Sequence, residues 1–512
     1  MKSANLFIVI FFFISLNAIG QIVRLEKNES GNVVLLRNNK PLLLLGGELG
    51  NSSATAIRYF DTLFPQLKDL NLNTILVPVY WELLEPAEGV FDYTLIDKMI
   101  IKARENELNL VLLWFGSWKN SMSCYVPAWV KKDFKRFPRS LNKKGEPSEI
   151  LSPFYAENLE ADIKAFKALM NRVKEVDSTG QVIMIQVENE IGMLPDAREY
   201  SKNANNAFDE NVPEAFIEYL KKNKDKLLPY LKNMWTKNGS KTSGNWVTIF
   251  GEGLATDELF IAWNFAVYAN KVARAGKEIY PLPMFVNCAL NRPGLEPGKY
   301  PSGGPLPYLM NVWQAAAPNI DFLAPDIYHG DFKDWSNKYD LLNNPLFIPE
   351  IRLENKNAAQ VFYVLGKYRA LGFSPFSIED LIGKKDASLS KSYKLLDDFS
   401  ELYFNKSTDS KMFGCYFDVK KQTDTIYFNE YQINISHDYT LGWSSGAIDS
   451  IWPETACILI ETGKDEFWIA GTGVVLEVSF LNKKNSRAGL LSVDQCTKIN
   501  GKWRFRRLNG DQ

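Results

Sequence analysis

Short apolar runs that end abruptly on polar residues occur at two widely separated places in the chain. Residues 182–185 are all apolar and lead into a polar segment that ends on Asn189 and Glu190. Such a run predicts a strand buried on both faces that delivers polar side chains at its C-terminal end. A second run, residues 346–349, ends on Glu350, 160 residues after Glu190. In parallel α/β barrels, active sites form at this end of the strands.

Around these two runs, the hydrophobic pattern alternates between strand-like runs and helical spacing. Apolar runs predict eight strands, at residues 42–45, 74–79, 108–114, 182–187, 283–287, 322–325, 346–349 and 374–378. Helical spacing predicts helices at residues 57–70, 93–105, 157–176, 358–371 and 392–404, with a polar, helix-rich insertion at residues 194–280. This alternation predicts an α/β fold, an expanded (β/α)8 TIM barrel. A doubly wound open sheet is the alternative, disfavoured because no glycine-rich phosphate-binding turn follows any strand.

The two ends of the chain follow a different pattern. Residues 22–25 and 33–36 predict a short β segment that leads into the barrel. After residue 404 the helical period disappears, and strands are predicted at residues 457–461, 466–470, 474–480 and 490–497. We therefore expect a barrel over residues 21–404 and a smaller antiparallel β-sandwich domain over residues 405–512.

Residues 1–20 have the composition of a cleaved secretory signal peptide. Lys2 is their only charged residue, an apolar block follows, and small residues precede the expected cleavage site. The block is short for a membrane span, so an uncleaved anchor is the weaker alternative. No cysteine lies near the cleavage site, which argues against a lipoprotein. We expect a secreted or periplasmic protein.

Charge and composition exclude several other classes of protein. The formal net charge is −1, or −2 once Lys2 is removed, and no long basic run stands out. Nucleic acid and anionic membrane surfaces are therefore not expected partners. With two histidines and five scattered cysteines, no metal site or other cofactor is expected. Disulfide pairing and oligomeric state are not readable from the sequence.

Two carboxylates presented by the ends of two strands are the minimum equipment for cleaving a glycosidic bond. Glu190 would act as the general acid, because a charged carboxylate nearby raises its pKa and keeps it protonated. Glu350 would act as the nucleophile and form a glycosyl-enzyme. An oligosaccharide or polysaccharide is the expected substrate.

The motifs resemble those of a known family. The segment from Gln186 to Gly192 looks like the acid/base motif of the β-galactosidases of glycoside hydrolase family 35, which belong to a clan of retaining (β/α)8 glycosidases with glutamates on strands four and seven. Residues 77–92 resemble the second-strand segment of that clan. The start at residues 46–53 and the ending at residues 503–511 resemble a bacterial branch with an uncharacterised C-terminal β domain.

Further substrate-binding residues are predicted around the catalytic pair. Asn189 is expected to bond the sugar 2-hydroxyl, and Tyr328 to hydrogen-bond Glu350 and hold its orientation. Other side chains are expected to line the pocket by their position at strand ends: Glu48, Asn51, Trp81, Trp118 and Glu379. Of these, Glu379 is the chief rival to Glu350 as nucleophile.

One position departs from the family pattern. Family 35 enzymes usually have a Glu-Trp pair after strand three, and that glutamate helps to hold galactose. Here Ser117 precedes Trp118. The resemblance then implies weaker discrimination of galactose, or a pocket in which Glu48 or Glu82 supplies the missing acid.

Three functions stay open at this point. The first is a retaining exo-β-galactosidase. The second is a clan relative with another preference, such as a β-glucosidase, β-xylosidase or endo-glycanase. The third is a non-catalytic glycan-binding protein, against which the presence of both Glu190 and Glu350 argues.

Overall fold

A computed structural model describes residues 23–384, 387–405, 411–418, 421–428, 430–481 and 488–508. The predicted signal peptide, residues 1–20, lies outside the described residues. The described chain begins with a small antiparallel sheet of three strands, β1 (Val23–Lys27), β2 (Val33–Arg37) and β3 (Lys40–Pro41). None of the helices in these described ranges has the length and apolarity needed to cross a membrane.

Eight parallel strands then close into a barrel, which confirms the predicted fold. In chain order they are β4 (Leu44–Glu48), β5 (Thr74–Tyr80), β6 (Asn109–Lys119), β9 (Val182–Asn189), β10 (Met284–Ala289), β11 (Phe322–Ile327), β12 (Ile348–Ile351) and β13 (Gly372–Pro375). A hairpin of β7 (Arg139–Leu141) and β8 (Pro147–Leu151) lies between β6 and β9. Almost every residue of the barrel strands is buried. Burial on both faces explains why these strands appear in the sequence as continuous apolar runs.

Helices surround the barrel and fill the predicted insertion. They are α1 (Ile57–Lys68), α2 (Trp81–Leu84), α3 (Thr94–Glu105), α4 (Ala128–Lys132), α5 (Ala156–Val176), α6 (Lys202–Asp209), α7 (Glu214–Lys222), α8 (Pro229–Lys237), α9 (Trp246–Phe250), α10 (Leu254–Lys277), α11 (Met310–Ala316), α12 (Phe332–Tyr339), α13 (Asn357–Tyr368) and α14 (Ser388–Tyr403). The insertion contains α6 to α9 and the long, largely buried α10, which packs against α5.

Two strand boundaries differ from the predicted ones in ways that affect the site. The last barrel strand is β13, so the residues predicted to end it, 376–378, lie in the following loop and turn. The third barrel strand, β6, extends five residues beyond the predicted end to Lys119. Its pairing register with β9 shifts between Trp114 and Lys119. Such an irregularity changes which side chains point towards the barrel interior.

The C-terminal region forms two three-stranded antiparallel sheets and a hairpin. One sheet contains β14 (Met412–Phe417), β17 (Thr455–Gly463) and β18 (Glu466–Thr472). The other contains β15 (Thr423–Phe428), β16 (Tyr431–His437) and β19 (Val474–Phe480), and the hairpin is β20 (Asp494–Ile499) with β21 (Lys502–Arg507). Both sheets contribute to one buried cluster, including Phe417 and Leu459 from the first and Ile433 and Ile435 from the second. The region is therefore a sandwich, as expected, although β14 to β16 and β21 were not predicted from the sequence.

The sandwich packs directly on the barrel through α13. Gly366 of this helix and Gly414 of β14 meet with no room for side chains: a Cβ on Gly366 would lie 2.8 Å from the Gly414 Cα. An ion pair of 2.7 Å between Lys333 and Asp418 joins α12 to the residue after β14. The close backbone contact holds the C-terminal domain on the outer helices beside barrel strands six and seven.

Candidate active site

Polar side chains from nearly every barrel strand converge at the C-terminal ends of the strands. They comprise Glu48, Lys119, Asn189, Glu190, Asn287, Asp326, Glu350 and Glu379. All lie at or just beyond the end of their strand, which is where catalytic residues of this fold are found. Most of them are buried. A cluster of buried carboxyl groups must share protons, hydrogen bonds or counter-charges to be tolerated.

The backbone around Glu190 is held in an unusual conformation. Glu188 and Glu190 have φ angles of +61° and +46°, in the left-handed region that L-residues rarely adopt. The Glu190 N–H donates to Asn287 Oδ1 at 2.9 Å. Its carbonyl oxygen accepts from the Ser121 N–H at 3.1 Å and from the Ser121 hydroxyl at 3.0 Å. These three bonds fix the turn that ends β9, and strain of this kind clusters at functional sites.

The carboxyl group of Glu190 shares its surroundings with Asp326. Burial raises the pKa of Glu190, while the ammonium of Lys119 and a hydrogen bond with Asp326 lower it. Burial and the charges of Glu350 and Glu190 raise the pKa of Asp326 well above its usual value. Asn287 Nδ2 donates to Asp326 Oδ2 at 2.6 Å. These effects favour the protonated form of Asp326, which can donate a hydrogen bond to Glu190.

Glu350 lies beside Asp326, because the two residues are direct partners in the β11–β12 ladder. Its side chain is buried, and its Oε1 accepts a hydrogen bond from the Tyr328 hydroxyl. This is the bond that the sequence analysis predicted for Tyr328. The guanidinium carbon of Arg352 lies 5.6 Å from the centre of the Tyr328 ring. Tyr328 is therefore held in place above the carboxylate that it binds.

The charge state of Glu350 depends on its neighbours. Burial first, and then the charge of Glu190, raise the pKa of Glu350 to about 7, while Lys119 and hydrogen bonds from Tyr328 and Glu48 oppose that rise. Carboxyl groups that interact this strongly titrate as a pair. Glu350 therefore titrates near neutral pH, and its charge state depends on that of Glu190.

Glu48 is a third carboxyl group inside the pocket. It is 1% exposed, and burial together with the charge of Glu350 raises its pKa well above the usual value. Glu190 and Glu379 add to this rise, while Lys119 opposes it. Burial and these charges therefore favour the neutral form of Glu48, which carries a hydroxyl donor.

Glu379 and Asn51 lie together at the edge of this cluster. Glu379 Oε1 accepts from the Gly50 N–H at 2.9 Å and from the Ser53 hydroxyl at 2.5 Å. The Asn51 carbonyl accepts from the Tyr80 hydroxyl at 2.8 Å. Within the described residues, Asn51 Oδ1 and Glu379 Oε2 are buried with no hydrogen-bond partner. Buried acceptors without a donor are costly unless a ligand supplies one.

Asn189 and Lys119 meet on the opposite wall. They are partners in the ladder between β9 and β6, and Lys119 Nζ donates to Asn189 Oδ1 at 3.0 Å. Both side chains are buried. The Asn189 Nδ2 atom is buried and lacks an acceptor among the described residues. An unpaired buried donor of this kind is costly unless a ligand uses it.

The two tryptophans expected in the pocket have packing roles instead. Trp81 is fully buried between other indole rings, and its Nε1 donates to Glu85 Oε2 at 2.9 Å. Trp118 is fully buried and packs edge-on against Tyr268 of α10, with ring centres 4.6 Å apart, and against Phe265. We therefore assign both rings to the packing between the barrel and its outer layer, in correction of the sequence-based prediction.

Ser117 also points away from the pocket. Its hydroxyl donates to Asp162 Oδ2 of α5 at 2.6 Å and lies 2.8 Å from the Tyr268 hydroxyl. It therefore does not stand in for a sugar-binding acid. Glu82 is paired with Lys131 at 2.9 Å and is about one-third exposed. Of the two proposed replacement acids, only Glu48 belongs to the carboxyl cluster.

The sequence analysis missed Lys119, Asn287 and Asp326. Asn287 and Asp326 are polar residues at the ends of apolar strands, the same signal that identified Glu190. Lys119 lies beyond the predicted end of its strand, so its position gave no such signal. Within the described residues, no group of three or more metal-ligating side chains comes together.

Comparison with known proteins agrees with this geometry. Residues 34–243 match the model of glycosyl hydrolases family 35, a region that includes Glu190 and ends before Glu350. Residues 389–512 match the model of a domain of unknown function, DUF5597. A search of curated proteins found no match.

Among solved structures, three similar ones have low sequence identity. A GH42 β-galactosidase from G. stearothermophilus is 16% identical over 70% of this chain and 57% of its own, with a TM-score of 0.49. The catalytic domain of a β-amylase from Paenibacillus polymyxa is 14% identical over 68% and 98%, with a TM-score of 0.47. A β-galactosidase from the psychrophilic Marinomonas ef1 is 9% identical over 70% and 60%, with a TM-score of 0.45. The chain spans little more than half the length of the first of these.

The family match therefore gives the class of protein that this barrel and its carboxyl cluster resemble, the glycosyl hydrolases. More closely, its barrel is similar to family 35 over residues 34–243 and is followed by a DUF5597 domain.

Proposed function

We propose that this protein is a retaining glycosidase that removes terminal β-linked sugars, with Glu190 as acid/base and Glu350 as nucleophile. The observation that carries the proposal is the convergence of these two carboxyl groups, from the ends of barrel strands four and seven, on the same neighbours: Asp326 interacts with Glu190 and is the ladder partner of Glu350, and Lys119 acts on both. A protonated and an ionised carboxyl group in one pocket supply both an acid and a nucleophile.

In the first step, Glu350 attacks the anomeric carbon while Glu190 gives its proton to the departing glycosidic oxygen. The C1–O bond to the leaving group breaks, and an ester bond forms between C1 and the Glu350 carboxylate. Tyr328 and Lys119 favour negative charge on Glu350. The glycosidic oxygen becomes more basic as its bond to C1 breaks, so it takes the proton from Glu190 in the transition state.

In the second step, Glu190 removes a proton from water, and the water oxygen attacks C1. The ester bond to Glu350 breaks, and the sugar leaves with its original β configuration. Asn189 offers its unpaired amide N–H groups to the sugar 2-hydroxyl, a contact that strengthens in the transition state.

Galactose is the sugar that we propose for the pocket, because the barrel region matches family 35. A clan relative that prefers another β-linked sugar is the second candidate. It is favoured by the outward orientation of Ser117, which leaves no acid at that position. The unpartnered polar atoms of Asn51, Asn189 and Glu379 fit a hydroxyl-rich ligand in either case.

A panel of aryl β-glycosides tests this proposal. We expect the galactoside to be hydrolysed, with a preference over the glucoside below about a thousandfold, because the usual galactose-binding acid is absent. Proton NMR of the first-formed sugar should show the β anomer. First-formed α anomer would exclude the retaining mechanism, and no cleavage of any aryl β-glycoside would contradict the function itself.

We also propose that the protein is exported with removal of residues 1–20. The apolar leader with a single charge supports this proposal. Mass spectrometry of the protein from its native host should give a mature N-terminus near Gln21. Recovery of a chain that still begins at Met1 would contradict it.

A further inference from the structure

We propose that Lys119 is the positioning residue of the active site, orienting Asn189 and setting the charge of the carboxyl pair. This inference rests on the proposed function and assigns a role to a residue outside the acid/base and nucleophile pair. The first observation that supports it is the location of Lys119. Lys119 is 4% exposed at the end of β6, beside Asn189 in the strand ladder.

The hydrogen bonds of Lys119 fix the orientation of the Asn189 amide. Its ammonium group donates to Asn189 Oδ1 at 3.0 Å and to Asn120 Oδ1 at 2.5 Å. An ammonium group has donors only, so it accepts no bond from an amide nitrogen. The Asn189 amide is therefore held with its oxygen towards Lys119 and its Nδ2 directed elsewhere. Nδ2 is the buried donor that lacks an acceptor among the described residues.

Lys119 is held at a fixed point instead of pairing with a single carboxylate. Its Nζ lies 4.9 Å from the centre of the Phe115 ring, and the bonds to Asn120 and Asn189 restrain it further. A cation held in this way stabilises negative charge throughout the pocket without neutralising one particular acid.

The carboxyl groups of the pocket respond to this cation together. Lys119 lowers the pKa of Glu48, of Glu190 and of Glu350. Its removal should raise the pKa values of both catalytic carboxyl groups. The acid limb of the pH–rate profile reports ionisation of Glu350, and the alkaline limb reports loss of the proton from Glu190. Both limbs should therefore move to higher pH, a change that lost packing alone does not produce.

The experiment compares Lys119→Gln, Lys119→Arg and Lys131→Gln with the wild type on the aryl β-glycoside that the wild type cleaves best. Lys131 is a matched control, because it pairs with Glu82 outside the carboxyl cluster and is about one-third exposed. For Lys119→Gln, we expect kcat/KM below pH 7 to fall about tenfold or more, with both limbs shifted upwards. Lys119→Arg should keep the wild-type limbs because it keeps the charge. Lys131→Gln should match the wild type.

A double-mutant cycle tests the orientation of Asn189. If Lys119 acts through that amide, Asn189→Ala should cost much less kcat in the Lys119→Gln background than in the wild type. Additive losses together with unshifted limbs in an active enzyme would overturn the proposal. A wild type that cleaves no β-glycoside would instead contradict the proposed function.

The pKa values of the carboxyl groups can also be measured directly, without turnover, if a Lys119 variant is inactive. Carbon-13 NMR titration of labelled glutamate carboxyl groups should show higher pKa values in Lys119→Gln, even if that variant is inactive. If Lys119→Gln does not fold, Lys119→Met is titrated in its place, since it keeps the length and volume of the side chain without the charge. Unchanged carboxyl pKa values in a folded variant would contradict the electrostatic role.

Discussion

Replacing Glu350 or Glu190 by glutamine is expected to reduce kcat on β-glycosides by about a thousandfold or more. Glutamine has the volume of glutamate but neither forms the glycosyl ester nor exchanges a proton, and acid/base catalysis alone contributes about a hundred- to ten-thousandfold. Both side chains lie in a pocket where burial raises the pKa, so the neutral amides should not destabilise the fold. Steady-state kinetics at the pH optimum and thermal unfolding of each variant measure the two effects separately.

Glu82→Gln is the matched control for these substitutions. Glu82 follows barrel strand two but pairs with Lys131 and is about one-third exposed. The Glu82→Gln variant should therefore retain the wild-type kcat. Near-normal activity of Glu350→Gln, with a large loss in Glu379→Gln, would instead identify Glu379 as the nucleophile. Near-normal activity of Glu190→Gln on a substrate with a poor leaving group would contradict its role as acid.

The barrel and its two central glutamates could be predicted because they depend on burial alone. Parallel strands covered on both faces must be continuously apolar, so a polar residue at the end of such a run stands out. Glu190 and Glu350 follow the clearest of these runs. The neighbours Asn189 and Tyr328 could be predicted with them, since each lies within a few residues of a strand end.

The residues around strand three could not be predicted, because a local irregularity decides which way they point. In a regular strand, side chains alternate between the two faces, so Ser117 and Lys119 would lie on the same face. In the structure, Ser117 faces the outer helices and Lys119 faces the carboxyl cluster. The register shift between Trp114 and Lys119 is accompanied by a close approach at Gly116, where a Cβ would lie 2.2 Å from the Trp114 indole nitrogen. Between the pairs Trp114–Val187 and Lys119–Asn189, β6 contains three more residues than β9, and an odd number of extra residues reverses the side-chain directions that follow. The outward direction of Ser117 and the inward direction of Lys119 follow from this irregularity.

The first strands of the sandwich were missed for a different reason. Strands β15 and β16 contain Asp, Asn, Gln and Thr on their more exposed positions, and Gly414 interrupts β14. Of these residue types, Asp, Asn and Gly are depleted in strands. The strands exist because they bury Phe417, Ile426 and Ile433 between two sheets. That tertiary contact has no counterpart in the local sequence.

Chemical rescue should separate the two catalytic roles, because each truncation to alanine opens space on a different face of the sugar. In Glu350→Ala, azide can occupy the place of the lost nucleophile, attack C1 from the α face and displace the leaving group. The product is then an α-glycosyl azide. In Glu190→Ala, Glu350 still forms the glycosyl ester from a substrate with a good leaving group. Azide attacks that ester from the β face and gives a β-glycosyl azide.

We therefore expect azide to restore turnover of a dinitrophenyl β-glycoside in both alanine variants, with products of opposite anomeric configuration. Proton NMR coupling constants at C1 identify each product, and the wild type in azide serves as the reference. The expected difference arises from the positions of the two carboxyl groups. Glu350 accepts a hydrogen bond from Tyr328, which follows strand six, whereas the backbone N–H of Glu190 is held by Asn287 within strand five. An α product from Glu190→Ala together with a β product from Glu350→Ala would show that the acid and the nucleophile are exchanged. Azide products from neither variant, in folded proteins that bind substrate, would argue against a covalent intermediate on Glu350.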